Sequence, residues 1–252
     1  MRRARARGLA GAVLASALLL TGCAQSVDPI ERLGKKAAEG VRPHRPALPT
    51  AYRHWGLTAP LPAPPHPAAR TLALGTPPRV VDRVPTRDRV VFLTYDDGAG
   101  RDPRFADMVR ELRLPVTLFL AAPGHGDPAR LHRLGAGLQN GAPAGRRAEI
   151  CGRQRHLTAR LGTRPRLLRP LGGGYDPSAL RAAADCGITA LVLSRATLTP
   201  AGALTYTHGP HRLRPGDIVQ IDSAPPLPDR TAAVLRGAQG EGLTPAHLED
   251  YL

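Results

Sequence analysis

The 252-residue sequence is poor in residues that cross-link or crowd a small protein. It has three cysteines, one tryptophan, 4% aromatic residues and only two lysines, Lys35 and Lys36. Three cysteines exclude a disulfide-dense scaffold and a four-cysteine zinc site. With 42% hydrophobic residues the chain can still build a core, so wholesale disorder is excluded. Its length suits one domain with appendages.

The N-terminus has the plan of a secretory signal. Four arginines lie within the first seven residues, and the apolar run 9–20 follows them. A helix of twelve residues is about 18 Å long, too short to span a bilayer. The run closes with Leu20-Thr21-Gly22-Cys23, which resembles a bacterial lipobox. This pattern predicts a signal peptide over 1–22, lipidation at Cys23 and an exported protein at the outer face of the cell membrane. A buried N-terminal helix is the alternative.

Export changes the meaning of the net charge and of the cysteines. Removing the four signal arginines lowers the net charge from +15 to +11, and no segment concentrates the remainder. The sequence therefore predicts no nucleic-acid partner; anionic envelope polymers, headgroups or mere genome composition can explain the arginines. With Cys23 acylated, Cys151 and Cys186 are left as a pair in an oxidising compartment, which favours a disulfide over two buried thiols.

Composition divides the chain at about residue 87. Residues 24–86 hold twelve prolines and predict a semi-rigid linker over 23–86. A single domain is predicted over 87–252. Its apolar patterns predict strands at 89–94, 116–121, 166–169, 188–193 and 217–221, and helices at 102–112, 128–138, 146–161, 177–185 and 229–236. Such alternation indicates an α/β fold, a parallel sheet or barrel with its site at the carboxyl ends of the strands.

The sharpest chemical feature is Thr94-Tyr95-Asp96-Asp97-Gly98, at the end of the first predicted strand. Adjacent carboxylates at a strand end point in different directions and can hold different roles. One can bind a cation while the other takes a proton from water. An isolated Asp-Asp-Gly would equally suit a solvated turn.

Three segments in order resemble the polysaccharide deacetylase (NodB homology) family of carbohydrate esterases. The stretch 90–98 resembles its first motif. The stretch 164–170, followed by Gly173, Tyr175 and Asp176, resembles its arginine-proline motif, and the stretch 213–219 resembles the lead-in to its last motif. The resemblance covers about 87–252 and implies a distorted (β/α) barrel that removes acetyl groups from sugars.

The resemblance also implies roles for individual residues. Asp96 matches the general base and Asp97 the metal-binding aspartate. Arg169 matches the arginine that keeps the base ionised, and the backbone N–H of Gly172 matches the oxyanion donor. Asp222 stands where the family has its catalytic histidine. An aspartate can act as that acid only if burial or Asp96 and Asp97 raise its pKa.

The family's divalent, zinc-like metal is the main departure. Its two His-x-x-x-His ligands are missing from the interval 135–145, so Asp97 would bind the metal alone. Among other histidines, only His125 follows a strand at the expected end of the barrel. Arg195 is expected to pair with Asp222 or Asp97. Two hypotheses follow: a deacetylase of envelope polysaccharide or peptidoglycan, a hydrolase of C–N bonds, with impaired catalysis, or a glycan-binding pseudoenzyme.

Overall fold

The computed structural model describes residues 50–67, 77–121, 126–143, 146–162 and 164–252. The predicted signal peptide, the lipidation site Cys23 and His125 lie outside these residues. The predicted linker is described only in part. Residues 46–252 form one compact unit.

A curled sheet dominates the described residues. Its strands are β1 (Arg79–Val81), β2 (Val90–Tyr95), β3 (Val116–Leu120), β4 (Gly137–Pro143), β5 (Leu167–Leu171), β6 (Ala190–Val192), β7 (Ala196–Leu198), β8 (Leu204–Tyr206) and β9 (Ile218–Ile221), with β10 (Thr244–Pro245) paired to β2. The strand order is β1-β6-β5-β4-β3-β2-β9-β7-β8, and the pairs are parallel except β7–β8. This α/β half-barrel confirms the predicted fold class.

Helices cover the sheet between the strands. They are α1 (Ala51–His54), α2 (Pro103–Leu112), α3 (Pro128–Arg133), α4 (Arg147–Leu161), α5 (Pro177–Asp185), α6 (Leu227–Gly240) and α7 (Leu248–Tyr251). Among the described residues, no helix combines the length and the apolar character needed to cross a membrane.

Local chemistry explains the elements that carry the site. All six residues of β2 are buried, as expected for a central parallel strand covered on both faces. Gly98, at φ 110°, allows the turn that follows Asp97. Asp102 then caps α2 by accepting hydrogen bonds from the backbone N–H groups of Arg104 and Phe105, and Pro103 occupies the first helical turn.

The prediction of a linker over 23–86 is wrong for its described part, and the domain begins before residue 87. Trp55 and Leu57 are buried in the main core, and Val84 is fully buried. β1 pairs in parallel with β6. Proline lacks a backbone N–H donor but can still be buried, so a proline-rich segment can pack against a domain that provides donors for its carbonyl groups. Thr244 provides one of these donors, since its hydroxyl group donates to the carbonyl of Pro62 at 2.7 Å.

The helix predicted over 128–138 is also wrong at its end. It stops at Arg133, and β4 occupies most of the interval in which the family motif is missing. Gly137 leaves room for the Glu249 carboxylate, which a Cβ at this position would overlap. After β4, α4 and α5 are joined by a disulfide between Cys151 and Cys186, the pair expected from the sequence.

Candidate functional site

The predicted site residues come from the carboxyl ends of three parallel strands. Asp96 and Asp97 follow β2, Arg169 and Gly172 lie at the end of β5, and Asp222 follows β9. In a flat sheet, β2 and β5 would lie about 14 Å apart, since two strands separate them. The curl of the sheet and the length of the arginine bring Arg169 Nη1 to 3.1 Å from Asp96 Oδ1.

Asp96 is held by donors on two sides. Arg169 donates to Oδ1, and Gln220 Nε2 donates to Oδ2 at 2.6 Å. Ser194 donates to Gln220 Oε1 at 3.1 Å, which orients the amide so that its NH2 group faces the carboxylate. The Asp96 side chain is 30% exposed, so this carboxylate remains accessible from solvent.

Arg169 is the buried half of this pair. Its guanidinium also donates to Thr94 Oγ1 at 2.6 Å and lies over the Phe119 ring, 4.3 Å from the ring centre. Burial lowers the pKa of Arg169, and the neighbouring Asp96 carboxylate opposes that shift. An arginine so placed supplies a fixed positive charge beside Asp96. The contact with Asp96 is thus present, and the role that the resemblance implied for Arg169 stays a prediction.

Two cavities lie on either side of the Asp96–Asp97 step. The cavity of about 320 Å³ is lined by Asp96, Arg169, Gly172, Ser194 and Gln220, among others, and we call it the Asp96 cavity. The neighbouring cavity of about 510 Å³ includes Asp97, Arg101, Asp102 and Asp222, and we call it the Asp97 cavity. The structure thus brings Asp96, Arg169 and Gly172 together, whereas Asp97 and Asp222 line the other cavity.

Asp222 does not have the environment that an acid catalyst would need. Its side chain is exposed, and its Oδ1 accepts only a local hydrogen bond from the backbone N–H of Ala224 at 3.3 Å. Burial, which would favour the protonated form, is not provided here. The geometry is that of an Asx turn.

The residues of the Asp97 cavity do not fit the implied zinc-like metal. Zinc in proteins is held by three or four side chains. Of the three carboxylates in this cavity, that of Asp102 already caps α2, and Asp97 and Asp222 share the cavity with the cationic Arg101. Within the described ranges, no group of three or more His, Cys, Asp or Glu side chains could hold a metal ion. His125 lies outside those ranges.

Arg195 does not pair with Asp97 or Asp222 as expected. Its buried guanidinium binds both carboxylate oxygens of the buried Asp217, with Nε to Oδ1 at 2.6 Å. The predicted strand over 188–193 ends at Val192. Arg195 immediately precedes β7 and lies beside the amino end of the neighbouring strand β9. Asp222 follows the carboxyl end of β9. The rise per residue of a β-strand therefore places it about 13 Å farther along that strand.

Sequence reasoning missed Gln220 and gave Ser194 no role. Gln220 is the polar residue inside the otherwise apolar β9, and its half-burial marks it as facing the end of the barrel. That single polar position in a buried strand was the available signal. Ser194 follows the strand predicted over 188–193, a position where this fold class places site residues, but its role appears only through its contact with Gln220. Tyr95, although inside the motif, faces the core, where burial raises its pKa and Thr231 provides a hydrogen bond.

Comparison with solved structures places the fold among the family 4 carbohydrate esterases. A family 4 pseudoenzyme from Bacillus anthracis superposes with a TM-score of 0.56 and 14% identity, covering 69% of each chain. A mutant of that pseudoenzyme with restored enzymatic activity has a TM-score of 0.56 and 16% identity, covering 69% of this chain and 71% of that one. A peptidoglycan N-acetylglucosamine deacetylase has a TM-score of 0.54 and 17% identity, covering 69% of this chain and 92% of that one.

At the level of sequence, the chain belongs to the same family as an uncharacterized protein of Streptomyces coelicolor. The two are 56% identical over 193 residues, which cover 69% of this chain and 78% of that protein. No protein-family profile matches the chain.

Proposed function

We propose that this protein is an exported, lipid-anchored member of the polysaccharide deacetylase fold with impaired catalysis, and that it binds N-acetylated envelope glycan in the Asp96 cavity. The observation that carries the proposal is the engagement of Asp96 on both oxygens, by Arg169 at 3.1 Å and Gln220 at 2.6 Å. These two bonds fix the carboxylate in the cavity wall for recognition, whereas turnover would also need metal ligands and an acid, roles that the surroundings of Asp97 and Asp222 do not suit.

The same arrangement suits binding of an acetamido group. A primary amide has two N–H donors, and Asp96 uses one of those of Gln220. The second can donate to an acetamido carbonyl, while the remaining lone pairs of Asp96 can accept the acetamido N–H. Peptidoglycan and related envelope polysaccharides carry this group. The fold is shared with a peptidoglycan N-acetylglucosamine deacetylase and with a pseudoenzyme, which supports both parts of the proposal.

Calorimetric titration with chitotetraose tests binding, and an acetate assay on the same zinc-dialysed full chain tests turnover. We expect stoichiometric binding and no acetate above the blank. Gln220→Leu should weaken binding by about tenfold, the cost of leaving a polar group unpaired. Gln239→Leu is the matched control, since Gln239 is also a half-buried glutamine with two hydrogen bonds but lies outside the Asp96 cavity.

Turnover is the competing function, and the retained Asp96–Arg169 pair favours it. Stoichiometric zinc and acetate release, both lost on Asp97→Ala, would establish a metal-dependent hydrolase and overturn the proposal. The lipid anchor is tested separately. Labelled palmitate should be incorporated into the expressed chain and not into Cys23→Ser, and equal labelling of both would refute the anchor.

A further inference from the structure

Tyr175 is unusual among the aromatic residues of this chain. The sequence has nine Phe, Trp and Tyr residues, all within the described ranges. Eight are buried or half-buried, whereas Tyr175 is 44% exposed. The other large hydrophobic residue exposed in the described part of the chain is Leu171, at 36%. Two exposed apolar side chains therefore lie within one five-residue stretch.

That stretch begins in the wall of the Asp96 cavity. Leu171, Gly172 and Gly173 line the cavity, and Tyr175 follows two residues later. Its Cα can be no more than about 7.6 Å from that of Gly173. Among the described residues, no hydrogen bond or ring contact holds the Tyr175 side chain. Its ring is thus available beside the cavity.

The backbone on the two sides of Tyr175 is held very differently. Next to it, Asp176 caps α5 by accepting from the backbone N–H of Ala179 at 2.8 Å and from Ser178 Oγ at 2.6 Å. Before it lie Gly172, Gly173 and Gly174, and a Cβ on any of them would meet nothing within 4 Å. Tyr175 is therefore anchored at the helix and adjustable toward the cavity.

The size of the cavity indicates what the ring would meet. Its volume of about 320 Å³ is at the low end of the range for small-molecule sites, about 300–1,000 Å³. A glycan whose acetamido group enters this cavity must continue over the rim. A pyranose ring presents an apolar C–H face, and a tyrosine ring is a rigid surface that matches it with little loss of conformational entropy.

We propose that Tyr175 is an affinity-determining platform that stacks on the sugar adjoining the one in the Asp96 cavity. This inference rests on the proposed function, because it takes the same glycan as its ligand. It differs in the feature that is recognised: Tyr175 contacts the face of a ring, whereas Asp96 and Gln220 contact the acetamido group.

The test uses the full chain and chitotetraose in calorimetric titrations of Tyr175→Ala and Tyr175→Phe. Tyr175→Ala should weaken binding by about tenfold, the size of one aromatic contact. Tyr175→Phe should bind like the wild type, since it keeps the ring. Tyr52→Ala, at a half-buried tyrosine outside the cavity, should also bind like the wild type. In Tyr175→Trp, added chitotetraose should shift the tryptophan emission to shorter wavelength, while the wild type, with only the buried Trp55, should show no shift.

The outcomes separate this inference from the function beneath it. Absence of binding by the wild-type chain would overturn both. Wild-type affinity in Tyr175→Ala, together with weakened binding in Gln220→Leu, would overturn the platform alone. Equal losses in Tyr175→Ala and Tyr175→Phe would assign the effect to the hydroxyl group and also overturn stacking.

Discussion

The two cavities begin from adjacent residues, yet their polar groups are held in very different ways. In the Asp96 cavity, Asp96 is bonded to Arg169 from β5 and Gln220 from β9, so side chains from three strands form one network. In the Asp97 cavity, the clearest counterpart is Asp222, whose hydrogen bond goes to the backbone two residues away. One cavity is organised by long-range contacts and the other, at Asp222, by a local turn.

This difference bears directly on function. Metal-assisted deacetylation needs a base on one side and metal ligands and an acid on the other, in fixed geometry. Binding needs only one organised set of donors and acceptors. The proposed glycan binding therefore needs only the Asp96 cavity, whereas turnover would need both cavities organised.

The largest expected effect is the loss of stability on removing the disulfide that packs behind the Asp96 cavity. The Cys151–Cys186 disulfide lies in the apolar cluster that also contains Leu168, the neighbour of Arg169 on β5. It closes a loop with a sequence separation of 35. By loop entropy, replacing both cysteines with serine should lower the free energy of unfolding by about 3 to 4 kcal/mol, measured by urea denaturation. A loss below about 1 kcal/mol would contradict a supporting role for the disulfide.

A slightly smaller effect should separate the two cavities themselves. Arg169→Ala removes the buried half of the ion pair and should lower the free energy of unfolding by about 3 kcal/mol, at the low end for such pairs because Asp96 is partly exposed. Asp222→Ala, at an exposed turn, should change it by less than about 0.5 kcal/mol. Urea denaturation of both variants gives the comparison, and similar losses would refute the contrast.

Sequence patterns predicted the elements that depend on residues close to one another in the chain. The apolar β2 and the capped α2 are examples, because buried strands and helix caps depend on neighbours in the chain. The Asp96–Arg169 pair also followed, through the motifs. A proline-rich composition, by contrast, hid the packing of Trp55, since burial of such a segment depends on a surface provided far along the chain.

Long-range register explains the remaining failures. Arg195 was expected to meet Asp222 or Asp97, but whether a residue lies at the amino or carboxyl end of a strand depends on where that strand begins. β7 begins just after Arg195 and pairs in parallel with β9, so Arg195 meets Asp217 instead. Gln220 was missed for a similar reason. Its partner Asp96 follows a different strand, β2, and no local sequence pattern connects the two residues.

The smallest predicted effect concerns α2, whose first turn borders the Asp97 cavity and whose last turn holds Trp55. Burial alone would raise the pKa of Glu111, but hydrogen bonds from His54 and Trp55 and the charges of His54 and Arg110 outweigh it and lower that pKa below its ordinary value of 4.5. A carboxyl group with a lowered pKa stabilises the folded state above the ordinary value. That contribution is lost as the pH falls through the lowered pKa.

Trp55 is the only tryptophan and donates to Glu111 Oε2 at 2.9 Å, so it reports this event. Its fluorescence should change as the pH is lowered through the depressed pKa of Glu111, before global unfolding seen by circular dichroism. Glu111→Gln should remove that early step, since a neutral amide does not titrate. If the fluorescence change persists in Glu111→Gln, another group causes it. The prediction that the Trp55–Glu111 contact titrates at low pH would then be wrong.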